Sequence, residues 1–293
     1  MSPDIEYQPA SRWDDEALAA LFNRGYVDYQ VPLTLDAVSL RGHIALNDVD
    51  LGASRVAVRD GEPLAFALLG VRDAAAPGGG RGWIGGMGVA PEARGAGLGT
   101  AITEATLAEA RRLRLGVVDL EVLEQNLHAA RIYEALGFRD TRRLEVWGRD
   151  AGPLPPAEAG LPQAVALPVA ECLEALAADT RERPAWQCDL PTLAHASGRL
   201  SALGVRGGDG VAACVLFRPS EKQVRIASLW GRPGAGAGPL EAALRAVLAA
   251  HPDASLTILN LPADNPGSGP LLRVGAGVRL RQREMRLALE EPP

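Results

Sequence analysis

An excess of positive charge is missing from this chain, and with it one class of partner. Its 30 lysines and arginines stand against 36 aspartates and glutamates, for a formal net charge of −6, the reverse of the basic footprint that tight nucleic-acid binding requires. Lysine itself is nearly absent, Lys222 being the one example. That bias toward arginine reads as base composition and carries no function. Long apolar runs are also wanting. None approaches the roughly 18 residues of a membrane span, and the acidic start MSPDIEYQPASRWDDE lacks the basic-then-apolar order of a secretion signal. A cytoplasmic protein with no membrane partner is expected. Cys172, Cys188 and Cys214 are odd in number and form no C-x-x-C pair, which argues for reduced thiols and against a zinc or redox centre. His43, His128, His195 and His251 stand far apart with no i,i+4 pair, so no metal is expected. Aromatics make up only 4% of the chain, which makes any gathering of them informative.

What remains is an ordinary globular composition, 47% apolar and 23% charged, in 293 residues, more than one core of usual size needs. Two domains are expected. The stretch AGPLPPAEAGLPQ, residues 151–163, is rich in Pro, Gly and Ala and reads as a linker between a first domain, 1–150, and a second, 164–293. In the first, the patterning predicts a short strand near Ile5, helices over Asp14–Arg24 and Leu35–Leu46, and strands over Ser54–Arg59 and Leu64–Val71. The Gly-rich loop Pro77–Gly82 then leads to a strand over Trp83–Val89, a helix over Leu98–Arg114, a strand over Val117–Leu123, a helix over Leu127–Leu136 and a strand over Arg139–Trp147. This is an α/β chain of the α+β kind, with one mixed sheet. After the linker a similar order returns. A helix at Val169–Asp179 precedes strands at Val211–Phe217 and Val224–Trp230, a Gly-rich turn, a helix at Leu240–Ala250, and strands at Leu256–Asn260 and Val278–Leu289. The chain reads as a diverged tandem repeat.

The strongest chemical signal is Met87-Gly88-Val89-Ala90-Pro91-Glu92-Ala93-Arg94-Gly95-Ala96-Gly97-Leu98-Gly99-Thr100, a strand running into a glycine-rich turn that opens a long helix. Glycines let the main chain approach a ligand closely, and the helix start adds converging N–H groups and partial positive charge, so a pyrophosphate is the natural occupant. Two familiar phosphate loops do not fit. A nucleoside triphosphatase loop needs Gly-Lys followed by Ser or Thr, and there is no lysine here. In a dinucleotide fingerprint the third glycine would stand where Thr100 is, whereas it comes one place early, at Gly99.

The pattern Arg94-x-x-Gly97-x-Gly99, after a strand ending in Gly88-Val89, resembles the coenzyme A loop of the GNAT superfamily of N-acyltransferases. Leu120-Glu121-Val122, Asn126, Ala130, Tyr133 and Leu136-Gly137-Phe138 resemble that family's downstream block L-x-V…N…A…Y…GF at its usual distance. The resemblance spans roughly residues 1–150. It implies an acetyltransferase with acetyl-CoA as acyl donor. The backbone of Arg94, Gly95, Ala96, Gly97, Leu98, Gly99 and Thr100 would hold the pyrophosphate, the strand end at Met87, Gly88 and Val89 would pair with the pantetheine arm, and Asn126 would bond that arm. Tyr133 would protonate the departing thiolate, as a phenol of pKa about 10 remains protonated at neutral pH. Glu121 is a candidate for the base that takes the amine's proton, with water as the alternative. The segment Phe22–Pro32 joins the first two helices, where the family lines its acceptor pocket, and Tyr26, Asp28 and Tyr29 are its candidates; Asp28 suits a cationic amine. By their own chemistry, Asn126 suits a helix N-cap and Gly137 a helix end.

In the second half the matching turn is Arg232-Pro233-Gly234-Ala235-Gly236-Ala237-Gly238-Pro239. Pro233 stands where the arginine should be, and Pro233 and Pro239 each remove an N–H donor. Leu271 and Leu272 fall where the tyrosine should be, and Val278 where the phenylalanine should be. A degenerate lobe of the same fold, doing no chemistry, is expected. The whole reads as a monomer or homodimer acting on a small-molecule amine; the alternative is a non-catalytic acyl-CoA-binding or regulatory protein. Keeping both Asn126 and Tyr133 favours the enzyme.

Overall fold

The computed structural model describes residues 5–29, 33–76, 79–181 and 183–289. Residues 30–32 of the segment after the first helix and Pro77-Gly78 of the first Gly-rich loop lie outside the described residues. The chain forms two compact units, Met1–Thr141 together with Arg283–Pro293, and Arg142–Gln282.

The first unit contains β1 (Glu6–Pro9), α1 (Asp15–Gly25), α2 (Ala37–Leu46), β2 (Arg55–Arg59), β3 (Glu62–Arg72), β4 (Gly80–Val89), α3 (Leu98–Arg112), β5 (Leu115–Leu123) and α4 (Leu127–Ala135). The following strand, β6 (Arg139–Arg149), starts in this unit. Each early helix starts on an aspartate. Asp14 accepts from the Ala17 N–H and Asp36 from the Ser39 N–H, both at 2.7 Å, which satisfies amides that have no intrahelical partner. β1 to β4 are antiparallel neighbours, and β4 and β5 are parallel. The alternation in β3 sorts the two faces: Phe66 and Leu68 pack with Leu18, Leu21 and Phe22 of α1, while Ala65 and Ala67 pack with Leu98 and Ile102 of α3. The small residues let α3 lie close to the sheet.

The second unit holds β7 (Val165–Ala166), α5 (Val169–Ala177), α6 (Leu190–Ala196), β8 (Ser201–Gly207), β9 (Gly210–Pro219), β10 (Gln223–Gly231), α7 (Gly238–Ala250), β11 (Ser255–Pro262) and α8 (Ser268–Arg273). Here too three antiparallel strands, β8 to β10, lead into a parallel pair, β10 and β11. β8, α6 and α8 were not among the elements expected from the patterning. α7 supplies Leu240, Ala243, Leu244, Val247 and Leu248 to the core. On the same helix Glu241, 1% exposed, pairs with Arg245 at 2.9 Å and Arg273 at 2.5 Å. Burial opposes its ionisation, but the hydrogen bonds and charges of Arg273 and Arg245 outweigh that and hold the carboxyl below its ordinary range. A depressed carboxylate contributes stability above its unfolded pKa and loses it as pH falls. Glu241→Ala, leaving two guanidinium groups without their shared anion, is expected to cost about 3–5 kcal/mol, with the deficit in urea unfolding larger at pH 7 than at pH 3.

The compact units divide the chain differently from a second domain running over 164–293. The last strand, β12 (Gly277–Ala288), passes into the first unit at Arg283. There the Leu289 N–H donates to Gly116 O at 2.9 Å, Arg286 grips Asp119 through two bonds of 2.6 and 3.1 Å, and Met285 and Leu289 join the core beneath β5. The first unit is closed by residues from the far end of the sequence.

Candidate active site

The site of the first unit begins where its two parallel strands part. β4 and β5 are paired from Gly80 opposite Leu115 to Ile84 opposite Leu120; past that point β4 runs on to Val89 and β5 to Leu123 without each other. A bulge starts the divergence. Leu69 faces Ile84 and Leu68 faces Gly86, so Gly85 is the extra residue, and a bulge bends its strand. Gly85 is also required for space, because a Cβ there would lie 2.1 Å from the Trp83 ring. Gly86 through Val89 and Glu121 through Leu123 thus flank a wedge with main-chain groups on its edges.

The glycine loop stands at the end of β4. Gly95 and Gly97 have φ of 80° and 77°, the left-handed region that glycine enters without strain. Gly97 is the N-cap of α3 and has no side chain to cap it, so the N–H groups of Leu98, Gly99 and Thr100 have no acceptor within the helix. Gly99 answers to packing instead: a Cβ there would come 3.3 Å from Ile132 Cδ1 of α4. The Arg94 side chain is committed to the protein. Its Nε donates to Val89 O at 3.1 Å, Nη2 to Gly25 O at 3.2 Å, and Nη1 meets Asp28 at 3.3 Å. What Arg94 offers a ligand is its main chain, and Asp28 already faces a cation. Arg24 and Glu92 form a second ion pair between the same two segments.

Three of the chain's four tyrosines gather in the wedge. Tyr133, on α4, is 6% exposed and packs edge-on to Phe138 at 5.8 Å. Burial, with Tyr26 and Tyr29 nearby, holds its hydroxyl well above the ordinary tyrosine range. Tyr26 stacks on Phe22 at 4.5 Å; burial and then Tyr29 push its hydroxyl up, against a bond from the Met87 main chain. Tyr29 lies edge-on to Tyr26 at 4.9 Å and bonds the Asn126 side chain, which offsets part of the upward push of burial. Asn126 caps α4, its Oδ1 accepting from the Ala129 N–H at 3.2 Å. The residues expected at the acceptor end and those expected along the coenzyme arm are therefore in direct contact.

Glu121 extends from the end of β5 and accepts from Trp83 Nε1 at 2.8 Å. Trp83, 1% exposed, was absent from the residues read as functional, although a Gly85-Gly86 pair inside a strand is a recognised mark of a bulge or close approach. Trp83→Phe removes the bond to Glu121 and leaves a smaller aromatic ring in its place. If Glu121 serves the reaction, the variant is expected to lose about tenfold in kcat, matching a hydrogen bond of ~1.4 kcal/mol, with acetyl-CoA affinity unchanged by calorimetry.

The second unit repeats the wedge. β10 and β11 pair from Gln223 opposite Ser255 to Ile226 opposite Ile258 and then part, with an irregularity between Ile226 and Ser228. The bulge falls one residue after the last parallel pair in each unit, at Gly85 and at Ala227. Its turn retains Gly234 and Gly236 at φ of 80° and 74°. Arg232, however, is directed to Val211 O at 3.0 Å and Asp209 O at 2.6 Å.

Two wedges of splayed parallel strands, the first with a donor-rich loop at a helix start, define the fold class of the GCN5-related N-acetyltransferases, present here twice. A structure of this class from Sphaerobacter thermophilus superposes with a TM-score of 0.73 at 18% identity, covering 98% of this chain and 97% of that one. The tandem GNAT protein from the clavulanic acid biosynthesis pathway gives 0.69 at 15% identity, covering 99% of each chain. Both share the fold over its full length. The profile of the Acetyltransferase (GNAT) family matches residues 16–138, all of them within the first unit. Mycothiol acetyltransferase of Sanguibacter keddieii is 34% identical over 130 residues, 43% of this chain and 40% of the relative. That of Acidothermus cellulolyticus is 35% identical over 149 residues, 47% of this chain and 43% of the relative. The chain spans about two fifths of the length of these curated relatives. Among the described residues no helix is long and apolar enough to cross a membrane, and no group of three or more His, Cys, Asp and Glu residues is placed to hold a metal.

Proposed function

We propose that the protein transfers the acetyl group of acetyl-CoA directly to the amine of a small molecule, with the first unit as the working lobe. The observation that carries this reading is the gathering of Tyr26, Tyr29, Asn126 and Tyr133 beside a β4 strand that leads into an uncapped helix start. The residues fit the donor. Uncapped N–H groups at Leu98, Gly99 and Thr100 suit a diphosphate, and the parted edge of β4 at Met87–Val89 suits an amide-bearing arm, with Asn126 as its side-chain partner. In the transfer the neutral amine nitrogen forms a bond to the acetyl carbon as the bond from carbon to sulfur breaks. Main-chain N–H groups at Met87–Gly88 oppose the negative charge that develops on the carbonyl oxygen. Tyr133 gives its proton to the sulfur leaving group, and Glu121, or water beside it, takes the proton that the nitrogen sheds.

The acceptor lies on the α1 and α2 side, at Tyr26, Asp28 and Tyr29. Its small-molecule nature is supported by the curated relatives, which are named for mycothiol. Asp28 is shared with Arg94, so recognition of a cationic amine there involves exchange of one cation for another. The test is release of free coenzyme A from acetyl-CoA across a panel of small amines, including amino sugars and their cysteine conjugates. Turnover of at least one, with acetylated product seen by mass spectrometry, is the expected result. Tight acetyl-CoA binding with no turnover on any amine would favour a non-catalytic acyl-CoA-binding protein.

A further inference from the structure

The second unit contains a cavity of about 780 Å³ where β10 and β11 part, within the 300–1,000 Å³ typical of small-molecule sites. Its position matches that of the first unit's wedge, but its chemistry is different. The two facing strand edges have carbonyls occupied by the unit's own side chains. Arg181 Nη2 donates to Gly231 O at 3.1 Å, and the Cys188 thiol lies 3.5 Å from Leu259 O, so places that would pair with an amide arm are taken. Several of the charged and polar wall groups are likewise engaged within the unit. Asp179 accepts from Arg181 at 2.5 Å and from Trp230 Nε1 at 2.8 Å; Asp189 caps α6 through the Leu190 N–H at 2.8 Å; Asn260 bonds Gln187 and Gln282.

The diphosphate grip is also weakened. Pro233 and Pro239 lack N–H donors, and Arg232 is turned to Val211 and Asp209. The recognition left to the cavity is that of Leu176, Leu190, Leu229, Leu240, Leu261 and Pro270, all of which line it. We propose that this cavity binds a small, uncharged, predominantly apolar molecule, one per chain, and does not take an acyl-CoA. The second lobe is then a ligand-binding lobe that kept the wedge of the fold and replaced its main-chain recognition with hydrophobic contact. This assignment does not depend on the reaction assigned to the first unit.

The probe is the neutral fluorophore N-phenyl-1-naphthylamine, titrated into the full chain. One saturable site per chain is expected, unaffected by excess acetyl-CoA and retained in Gly97→Glu. Leu229→Trp fills the space and is expected to weaken binding at least tenfold; Leu190→Asp, on a different element, serves the same purpose if the first variant fails to fold, and circular dichroism decides which variants are read. Absence of saturable binding, equal binding by every folded cavity variant, or displacement of the probe by acetyl-CoA would each overturn the proposal, the last by making the cavity a second coenzyme site.

Discussion

Replacing Tyr133 with phenylalanine is expected to lower kcat for acetyl transfer by about 10²- to 10⁴-fold, the span of a positioned general acid, while the Kd for acetyl-CoA stays within a factor of about three, a change of ~0.65 kcal/mol. The ring packs against Phe138 and stays buried without its oxygen, so the loss should fall on the chemical step. The pH profile carries a second signature. Burial raises the pKa of this hydroxyl, so it stays protonated across the neutral and mildly alkaline range. The wild type should therefore show no alkaline fall in kcat below about pH 10, the ordinary tyrosine value, and rising pH should help by deprotonating the amine. Steady-state kinetics between pH 6 and 9.5, with calorimetry at pH 7.5, measure both. An unchanged kcat in Tyr133→Phe would remove this residue from proton transfer.

Placing glutamate at Gly97 is expected to weaken acetyl-CoA binding by at least about 100-fold, or ~2.7 kcal/mol. Two effects combine. Residue 97 holds φ of 77°, where a side chain brings strain of roughly 1–3 kcal/mol, and the new carboxylate sits among the amides that would hold a diphosphate. Nothing lies within 4 Å of a Cβ at this position, so the fold should survive. Gly236→Glu is the matched control, since Gly236 has φ of 74° with similarly open surroundings. Calorimetric titration of both variants with acetyl-CoA separates the lobes: binding lost in the first and kept in the second is expected, and the reverse would move the coenzyme to the second unit.

Much of the first lobe could be read from its residues because local signals agreed. Asp14, Asp36, Asn126 and the Gly97 loop mark helix starts by their own chemistry, and β2 and β3 are short apolar runs buried almost throughout. The second lobe was harder. β8 (SALGVRG) mixes glycine and charge into seven residues, and α6 is a seven-residue helix with proline in its first turn, so neither announces itself by period. Side-chain pairings were out of reach for a different reason. That Arg94 reaches back to Gly25 and Asp28, or that the Trp83 indole folds over Gly85 to meet Glu121, depends on separations of up to 69 residues that spacing does not encode. The large cavity belongs to the same class. Its strands and turn were visible, but the plugging of its edges by Arg181 and Cys188 comes from a segment with no recognisable pattern.

The return of the chain's end to its beginning bears on how this protein can be taken apart. A fragment stopped at residue 150 would keep every residue of the family match and still lack the strip from Arg283 to Leu289. β5 would lose the neighbour that bonds Gly116 and grips Asp119, and would present an open edge, the kind of surface that recruits other strands. The first lobe is thus a discontinuous folding unit. During synthesis its sheet stays incomplete until the second lobe has been made, and the two halves of the repeat are tied to one another by order of assembly.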